Sequence, residues 1–567
     1  MPKKNWQILE ENKTLREKIA KECGITAVTA QILINRGITE PSAANNFLNS
    51  DINSLYDPHL MKDMEKAVLR IKKAISKGEK VMVYGDYDVD GISAAALLKR
   101  VLQDIGCNVI SYIPHRVEEG YGLNREAVKI AHNRGISLLI TVDCGISGKK
   151  EVDYLNKLGI TTIVTDHHKI VEESFPDNAY AVINPLQKDC RYPFKYLSGV
   201  AVAYKLAQAL THGYGYDIEA HLDLVALGTI QDMVPQLDEN RVLTKCGLSK
   251  INESKKKGIL ALIDVAGLKG KTISSRQIGY MLGPRINAAG RVSSADLALR
   301  LLVTDDEDEA VELAGVLDTE NRNRQKIEGT ILTEAVNRVE SQINFKDDKV
   351  IVLDSDEWHP GVIGIVASRI AEKFCRPTIM ISFNKNEGKG SGRSIKNFHL
   401  FDALSECRDF LSGFGGHADA CGIKISRRNL DDFRFKFNDV ASKMLAVGDF
   451  MPSLRIDMEI PLRLLKRDVV LEIENLSPYG PGNPRPILLS KGLKLKSKPT
   501  FMRREGIKMW VTDGNITCEA IGFGLNEMVD DIMESASFDV AYTPSINRWR
   551  DADTLQMEIV DLKANLI

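Results

Sequence analysis

The sequence predicts an α/β protein with two lobes, joined by long helices and followed by a small β-barrel of the OB type. Short apolar strands alternate with amphipathic helices between residues 81 and 183, which indicates a parallel sheet. Residues 294–342 contain two glycines and no proline, which favours long helices. Short alternating strands follow the Pro-Gly-rich segment at 477–486, which indicates the barrel.

The same patterns divide the chain into five segments. We predict an N-terminal helical segment at 1–70, an α/β domain at 71–293, connecting helices at 294–345, a second α/β domain at 346–446 and the barrel at 450–567. In the first α/β domain the predicted strands lie at 81–84, 109–113, 137–142, 161–165 and 179–183. Helices are predicted between them, among others at 92–102, 125–133 and 149–158.

Length and composition exclude several classes of protein. The 567 residues are too many for one compact core. Hydrophobic residues make up 44% and charged residues 27%, which is typical of soluble globular proteins and excludes disorder or a fibrous repeat as the main state. No apolar run approaches the ~18 residues of a membrane span, and the N-terminus lacks the apolar core of a secretory signal. We therefore predict a cytoplasmic protein that does not bind a membrane.

Cysteine usage and charge narrow the functions further. The nine cysteines are scattered and form no CxxC pair, which argues against a disulfide framework or a Cys-rich zinc site and favours a reducing compartment. Lys and Arg number 75 against 77 Asp and Glu, a net charge of −2. Any nucleic-acid binding must therefore come from local basic patches.

A dense acidic segment, Asp86-Tyr-Asp88-Val-Asp90-Gly91, follows the first predicted strand. It matches the first half of an EF-hand calcium loop, but Leu97 occupies the position of the bidentate glutamate. The preceding segment is also strand-like, whereas an EF-hand needs a helix there. A second alternative is an acidic turn that only caps the following helix.

Further acids and histidines follow other elements of the first lobe. Asp143 ends another strand, Asp166-His167-His168 ends a third, and Asp232 follows an apolar helix. Because parallel strands end at one edge of a sheet, six carboxylates and two imidazoles are expected to converge there. Carboxylates that close repel one another unless cations hold them, and oxygen ligands with one or two imidazoles suit Mn²⁺ or Mg²⁺ better than zinc.

This donor set predicts a centre that holds one or two divalent ions. Two ions can activate water and stabilise both oxygens of a phosphoryl displacement. One histidine of the pair has a second interpretation: it is a hydrogen-bonded core residue, or it orients a ligand or the scissile phosphate.

Taken in order, these segments resemble the DHH phosphoesterase superfamily, named for the triplet Asp166-His167-His168. Within it, residues from about 81 to the C-terminus are most similar to the bacterial single-strand-specific DNA exonucleases. The resemblance implies a DHH lobe, a connecting helix, a DHHA1 lobe and an OB-fold around a central groove. It also implies Mn²⁺- or Mg²⁺-dependent hydrolysis of single-stranded DNA from the 5′ end to mononucleotides, in DNA repair and recombination. The implied partners are single-stranded DNA, a single-strand-binding protein and a helicase.

The resemblance also assigns roles to the acidic and histidine residues. It implies that Asp86, Asp88, Asp143, His167 and Asp232 bind metal ions and take part in catalysis. Asp90 and Asp166 belong to the same motifs and are further candidate ligands. His168 is the candidate for contact with the reacting phosphate.

Three glycine-containing segments are candidates for binding the phosphates of the substrate. The segment 283–291 combines a tight Gly-rich turn with Arg285, Asn287 and Arg291, which suits bidentate phosphate contacts; the alternative is an ordinary turn with solvated arginines. In the second lobe, Ser391 and Arg393, and Gly416 and His417, lie in turn-like segments.

The resemblance places these second-lobe motifs in the substrate groove. Ser391 and Arg393, with Arg116 from the first lobe, are the candidates for a pocket that receives the 5′-terminal phosphate. His359 and His417 are either groove residues or core histidines.

The predicted barrel carries a basic stretch that fits a single-strand platform, on which bases stack and phosphates pair with cations. A solvated charged face is the alternative. The basic residues are Lys491, Lys494, Lys496, Lys498, Arg503, Arg504 and Lys508, against the single acid Glu505, with Phe501 and Trp510 in or beside them.

Two other functions remain as alternatives. One is a DHH phosphodiesterase that acts on short oligonucleotides or cyclic dinucleotides, although the added barrel favours a longer strand. The other is a catalytically inactive DNA-binding scaffold, which the intact acidic motifs disfavour.

Overall fold

A computed structural model describes residues 4–116, 119–120, 122–292, 294–502, 506–525, 528–549 and 552–565. It confirms an α/β protein with two lobes, a long connecting helix and a C-terminal β-barrel. Within these ranges, no helix has both the length and the apolar character that crossing a bilayer requires.

The chain begins with a short strand, which the sequence patterns do not predict, and three helices. These elements are β1 (Asn5–Ile8), α1 (Lys13–Cys23), α2 (Ala27–Asn35) and α3 (Pro41–Asn49). The side chain of Asn12 caps the start of α1, and Gly24 in the left-handed conformation (φ 66°) ends it. Helix α4 (Met64–Ser76) follows and packs its apolar face against the first lobe.

The first lobe is built on a five-stranded parallel sheet, as the alternating pattern predicts. Its elements are β2 (Val81–Gly85), α5 (Val89–Asp104), β3 (Val109–Tyr112), α6 (Arg125–Asn133), β4 (Leu138–Val142), α7 (Lys149–Lys157), β5 (Thr161–Thr165) and β6 (Ala181–Ile183). The strand order is β3-β2-β4-β5-β6, and every pairing is parallel. Strands β2 and β4 are buried along their whole length, as expected for a sheet covered on both faces. Their carboxyl ends therefore open at one edge.

Helices complete the first lobe. They are α8 (Gly199–Thr211), α9 (Leu222–Gln231), α10 (Asp238–Asn252), α11 (Lys257–Val265), α12 (Ser275–Gln277), α13 (Gly283–Val292) and α14 (Asp296–Val303), with a π-helical turn at Ile278–Leu282. Helices α8 and α9 pack directly on α5 beneath the edge of the sheet.

The Gly-rich turn expected at 283–291 is wrong, because helix α13 occupies this segment. Gly283 packs against the side chain of Gln231, where a Cβ atom would lie 2.0 Å from its Nε2 atom. Pro284 lies inside a continuous helical segment, because Ser275–Gln277 and the π-helical turn at Ile278–Leu282 lead into α13 without a break. Proline lacks an N–H for the regular helical hydrogen bond, which fits the π-helical turn directly before it. Close packing and a local π-helical turn, rather than a chain reversal, therefore explain these two residues.

A single helix, α15 (Glu307–Gln342), connects the lobes, as the low glycine and proline content predicts. Its 36 residues span about 54 Å at 1.5 Å per residue. Leu313 and Leu317 belong to the core of the first lobe, whereas Ala335 and Val339 belong to the core of the second. The helix is therefore part of both lobes.

The second lobe contains a mixed five-stranded sheet of order β10-β11-β9-β8-β7, in which only β7 and β8 are parallel. Its elements are β7 (Ile351–Ser355), α16 (Ile363–Phe374), β8 (Thr378–Asn384), β9 (Glu387–Arg393), α17 (Leu400–Ser405), β10 (Leu411–Gly416), β11 (Ala420–Ser426) and α18 (Leu430–Met444). The turn-like interpretation of 391–393 is wrong, because these residues end β9. Gly388 and Gly390 make room there for apolar side chains of the neighbouring strands.

The C-terminal segment forms the predicted barrel. Its elements are β12 (Ser453–Ile456), β13 (Met458–Glu459), α19 (Arg467–Asn475), β14 (Leu488–Leu495), β15 (Thr500–Met502), β16 (Gly506–Thr512), β17 (Thr517–Phe523), α20 (Val529–Glu534), β18 (Ser537–Trp549) and β19 (Ala552–Asn565). The strand order is β13-β14-β18-β19-β17-β16-β15, and an additional β14–β16 pairing closes the sheet.

The N-terminal helices share one hydrophobic core with this barrel. Strand β1 pairs in parallel with β12, and Ile32 and Leu33 belong to the same apolar cluster as Leu488 and Phe538. These contacts join residues more than 400 positions apart, which no local pattern reveals. The two ends of the chain therefore form one structural unit.

Candidate metal centre and phosphate-binding residues

Ionisable side chains from four elements meet at the carboxyl edge of the first-lobe sheet. Asp86 and Asp88 follow β2, Asp143 follows β4, His167 lies two residues beyond β5, and Asp232 ends α9. Potential ligand atoms approach within 4.8 Å of one another in three overlapping groups. The groups are Asp143–His167–His168, Asp90–His167–Asp232 and Asp86–Asp88–Asp143. Asp143 and His167 each belong to two of these groups, which is the arrangement expected of residues that face two ions.

Four ligand atoms of this cluster are buried without a hydrogen-bond partner in the described part of the chain. They are Asp86 Oδ1, Asp143 Oδ1, His167 Nε2 and Asp232 Oδ2. The imidazole Nε2 lies 3.1 Å from Asp143 Oδ1 and 3.5 Å from Asp232 Oδ2. Buried polar atoms nearly always have partners, so a cluster of lone pairs directed at one another fits a divalent cation.

The pKa values of the carboxyl groups also favour a bound cation at this site. Burial raises the pKa of Asp86, Asp143 and Asp232 well above the usual value, and the neighbouring carboxylates raise it further. Burial and the charge of Asp88 likewise raise the pKa of Asp90 to about 7. Without a cation, these groups resist ionisation at neutral pH.

His167 is held in the state that a metal ligand needs. Burial, reinforced by the neighbouring charge of His168, lowers the pKa of His167 to about 4, so that its ring is neutral. The ring also donates a hydrogen bond to the backbone carbonyl of Leu197, which fixes its orientation. A neutral imidazole with one nitrogen already bonded presents the other nitrogen as a lone pair.

Asp88 and Asp90 both accept hydrogen bonds from backbone amides. Asp88 Oδ1 caps α5 and accepts from the amides of Asp90 (3.0 Å) and Gly91 (3.1 Å). Asp90 binds the N-terminus of α8 with both oxygens, at 2.6 Å from the amide of Gly199 and 2.9 Å from that of Val200. The side chain of Asp90 thus joins α5 to α8.

Asp166 and His168 form a second, charged pair. Asp166 Oδ1 lies 2.7 Å from His168 Nδ1 and also accepts the backbone amide of His167, while Oδ2 accepts that of Ile146. Burial alone would raise the pKa of Asp166, but the hydrogen bond from His168 and the charge of its protonated form outweigh burial and lower the pKa. Burial opposes protonation of His168, but Asp166 and then Asp88 and Asp86 raise its pKa. Asp166 therefore favours the protonated form of the His168 imidazole.

Glycines bring these elements close enough to form the cluster. A Cβ atom on Gly199 would lie 2.3 Å from Asp143 Oδ1, and one on Gly228 would lie 2.5 Å from Asp90 Oδ1. Sequence reasoning misses both glycines, together with Leu197. The available signal is Ser198 before the apolar run 199–211, which is typical of a helix N-cap and is one here.

Four arginines gather beside the acids. Burial and the charges of Arg116, Arg324 and Arg393 lower the pKa of Arg291 to about 9. The guanidinium of Arg116 lies 4.7 Å from the centre of the Tyr87 ring. Tyr87 stands between Asp86 and Asp88 in the sequence. Like charges this close favour a bound anion. Sequence reasoning misses Arg324, which lies on α15 in a segment interpreted only as a connecting helix. Its guanidinium pairs with Glu328 at 2.6 Å, so Arg116, Arg291 and Arg393 are the members of this group that we consider for phosphate binding.

Ser391 and Arg393 meet at the start of α16. Arg393 Nη1 donates to Ser391 Oγ at 3.0 Å and to the carbonyl of Gly392 at 2.7 Å. Both side chains lie over Gly364, where a Cβ atom would be 2.9 Å from Ser391 Oγ and 3.2 Å from Arg393 Nη2. The first turn of a helix, a hydroxyl and a guanidinium together suit a phosphate group.

Arg285 does not join this cluster. Its guanidinium pairs with Asp318 of α15 at 2.9 Å and donates to the carbonyl of Met281 at 2.6 Å. The expected phosphate contact of Arg285 is therefore replaced by an ion pair between α13 and the connecting helix. Asn287 lies on α13, one helical turn before Arg291.

The predicted histidines occupy different environments. His359 is half-buried and accepts the amide of Gly361 at 3.1 Å, and the carbonyl of Gly361 accepts a hydrogen bond from Arg291 Nη1 at 3.1 Å. Gly416 and His417 are exposed at the β10–β11 turn. This turn lies at the Arg393 end of the sheet, because Arg393 pairs with Ala420 on β11.

The barrel presents part of the predicted basic face. Lys494, Lys496 and Lys498 are exposed near Trp510, whose carbonyl accepts the amide of Lys496 at 2.8 Å. Phe501, Trp510 and Phe523 are 68%, 39% and 58% exposed; sequence reasoning misses Phe523. Two lysines are paired with acids instead, Lys491 with Glu459 at 2.7 Å and Lys508 with Glu519 at 2.6 Å. Arg503, Arg504 and Glu505 lie outside the described residues.

Comparison with known proteins identifies matches along most of the chain. Three family models match it: the DHH family, N-terminal domain, at residues 80–229; the DHHA1 domain at 347–443; and the RecJ OB domain at 456–561. The single-stranded-DNA-specific exonuclease RecJ of Bacillus subtilis (strain 168) is 37% identical over 562 residues, which are 99% of this chain and 71% of the relative.

Solved structures match the whole architecture. The crystal structure of RecJ in complex with Mn²⁺ from Thermus thermophilus has a TM-score of 0.85 and 28% identity, and the match covers 99% of this chain and 80% of that one. The structure of the same protein in complex with Mg²⁺ has a TM-score of 0.79 and 27% identity, with 99% and 79% covered.

The raised pKa values predict how stability without metal depends on pH. An acid whose pKa is higher in the folded state than in the unfolded state binds more protons when folded, so its contribution to stability falls as pH rises. We expect the melting temperature of the chelator-treated protein to fall between about pH 4 and about pH 7, from the ordinary pKa of an unfolded aspartate to the folded pKa of Asp90 at about 7. Excess Mn²⁺ should raise it most at the higher pH.

Differential scanning fluorimetry across this range measures the effect. The variants Asp143→Asn and Asp232→Asn each remove one titrating carboxyl group, so their melting temperatures should depend less on pH. A melting temperature of the parent protein that rises over the same interval, with an equal rise in both variants, would contradict the electrostatic account of the cluster.

Proposed function

This chain belongs to the RecJ family of single-stranded-DNA-specific exonucleases, and we propose that it hydrolyses single-stranded DNA from the 5′ end and releases 5′-mononucleotides. One observation carries the proposal: unpaired, buried acid and imidazole atoms lie directly beside a cluster of arginines. The first set fits divalent cations and the second fits phosphate, so together they fit a phosphodiester at a metal centre.

We propose Asp86, Asp88, Asp143, His167 and Asp232 as the ligands of Mn²⁺ or Mg²⁺, with two ions. The oxygen-rich donor set with one neutral imidazole suits these metals. Bound divalent ions would lower the pKa of an attacking water and stabilise the charge that develops on the phosphate oxygens. Asp90 and Asp166 have both carboxylate oxygens bonded to amides or to His168, so we assign them to positioning the ligands rather than to direct coordination.

The remaining residues hold the strand in register for hydrolysis. His168, whose protonated form Asp166 favours, donates a hydrogen bond to a non-bridging oxygen of the reacting phosphate. Arg116, Arg291, Ser391 and Arg393 receive the terminal phosphate. Water then attacks the next phosphorus, and its bond to the O3′ of the terminal nucleotide breaks. The released mononucleotide takes up a proton, and the shortened strand again carries a 5′-phosphate.

The barrel and the outer groove extend the contact with the substrate. Exposed lysines and aromatic rings on β14–β17 would pair with phosphates and stack on bases further along the strand, which favours a long substrate over a dinucleotide. His359, Gly416 and His417 lie near Arg291 and Arg393, and we propose that they line the same groove.

The cellular setting follows from this chemistry. We propose a single-strand-binding protein and a helicase as partners, because one covers and the other generates single strands. All nine cysteines lie in the described ranges and none is in a disulfide, which favours the reducing cytoplasm. We also propose the predicted limits, 1–70, 71–293, 294–345, 346–446 and 450–567, as segments of the chain, within which the three family-model matches fall. In space, helices α1–α3 of the first segment pack on the barrel, and α4 packs on the first lobe.

Asp143→Asn tests the catalytic assignment. The variant loses a carboxylate shared by two donor groups, so kcat should fall at least about 100-fold while binding of single-stranded DNA in EDTA changes little. Release of labelled mononucleotides and fluorescence anisotropy measure the two quantities. Asp308→Asn changes an exposed acid and serves as the control. Undiminished turnover in Asp143→Asn would contradict the assignment.

Arg393→Ala tests the terminal-phosphate pocket. Removing a guanidinium that contacts a phosphate costs a charge-assisted hydrogen bond, so the preference for 5′-phosphorylated over 5′-hydroxyl ends should fall about tenfold. Competition between the two labelled strands measures this ratio. Arg428→Ala, at an exposed site, should leave it unchanged. An equal loss of activity on both kinds of end would contradict the pocket.

A further inference from the structure

The loop after Asp232 lies against the Pro-Gly-rich turn that precedes the barrel. Asp232 ends α9, and Met233 turns the chain sharply through a left-handed conformation (φ 61°). Three residues later, the amide of Gln236 donates a hydrogen bond to the carbonyl of Pro481 at 2.8 Å. Gln236 is only 2% exposed, so this contact is a buried joint between the metal centre and the barrel segment.

Glycine is required at this joint. A Cβ atom on Gly480 would lie 2.6 Å from Gln236 Cγ, closer than non-bonded carbon atoms approach. A Cβ atom on Gly482 would lie 3.0 Å from Leu237 Cδ1, and Gly482 also has a left-handed backbone (φ 74°). The turn at 480–482 therefore fits against the loop only without side chains.

The turn is itself fixed on the side of the barrel. Gly480 and Asn483 exchange two backbone hydrogen bonds. The buried side chain of Asn483 donates to the carbonyls of Leu476 and Pro478 at 2.7 and 2.9 Å and accepts from Arg36 Nε at 2.7 Å. A displacement of the turn must therefore move the Asp232 loop or break this network.

The opposite side of the loop after Asp232 is linked to His167, a second candidate metal ligand. The buried side chain of Asn240 donates to the carbonyl of Pro235 at 3.1 Å and to that of Tyr196 at 2.6 Å. The next residue, Leu197, provides the carbonyl that orients the His167 ring. One loop thus connects the turn at 480–482 with both Asp232 and His167.

We propose that the turn at 480–482 positions the metal centre, with Gln236 and Asn240 as positioning residues that hold Asp232 and His167 in place. The inference rests on the proposed function, in which these two side chains bind metal. Residues that orient ligands set metal affinity because they fix the geometry before the ion arrives. The segment carrying the strand-binding barrel is thereby coupled to the metal centre through packing and the backbone hydrogen bond from Gln236 to Pro481.

Gly480→Ala tests the coupling, because its methyl group must displace Gln236. We expect the Kd for Mn²⁺, measured by isothermal titration calorimetry on the full chain, to rise about tenfold. Binding of a single strand in EDTA, measured by anisotropy, should stay close to the parent value. Gly448→Ala adds the same methyl group at an exposed position with open space and serves as the control.

A second substitution makes the test specific to the contact. Gln236→Ala removes the Cγ atom that the new methyl group meets, so the double variant Gly480→Ala/Gln236→Ala should bind Mn²⁺ more tightly than Gly480→Ala alone. Parent-like Mn²⁺ affinity in Gly480→Ala, or losses that add in the double variant, would overturn the proposal. If Gly480→Ala does not fold, Asn240→Ala, which removes the hydrogen bonds to the carbonyls of Pro235 and Tyr196, should still weaken Mn²⁺ binding, and parent-like affinity there would overturn the proposal.

Asp232→Asn separates this proposal from the one on which it rests. The variant should weaken Mn²⁺ binding at least as much as Gly480→Ala. Unchanged affinity in Asp232→Asn would overturn the ligand assignment itself, whereas weakened affinity there with parent-like affinity in Gly480→Ala would overturn only the positioning role of the turn.

Discussion

Repulsion among buried carboxylates is the constraint on which the first lobe depends. Asp86, Asp143 and Asp232 are held together although burial and mutual charge raise the pKa of each of them. Their neighbour Asp90 accepts hydrogen bonds from two backbone amides, and Asp166 accepts others from backbone amides and pairs with His168. These two acids therefore have partners within the protein. The unpaired oxygen atoms of Asp86, Asp143 and Asp232 are available to a cation, whose charge would offset the repulsion among these carboxylates.

A complementary repulsion exists among the arginines, and assembling it requires both lobes. Arg116 and Arg291 come from the first lobe, Arg324 from the connecting helix and Arg393 from the second lobe. Helix α15 belongs to both hydrophobic cores and therefore fixes the distance between these charges. In the proposed function, a nucleotide strand would supply the negative charge that relieves this cluster, and its reacting phosphate would lie beside the acids.

Sequence patterns predict the parts of this structure that depend on local periodicity. The strands of the first lobe, the acids at their carboxyl ends, the long α15 and the barrel all follow from alternation and from glycine and proline content. Gly283 and Pro284 suggest a chain reversal, but the causes are tight packing on Gln231 and a π-helical turn within a continuous helix.

Contacts between distant residues are not predictable in this way. Arg285 pairs with Asp318, 33 positions away, and so is unavailable for phosphate. The N-terminal helices pack on the barrel, and Arg324 enters the phosphate cluster from a helix without a motif. These features depend on tertiary packing, which a single sequence does not encode in any local pattern.

Anomalous diffraction at the manganese edge, from crystals grown in saturating Mn²⁺, tests the central claim most directly. The account predicts strong anomalous peaks in contact with Asp86, Asp88, Asp143, His167 and Asp232. An absence of anomalous density among these side chains, or peaks found only elsewhere on the molecule, would contradict it.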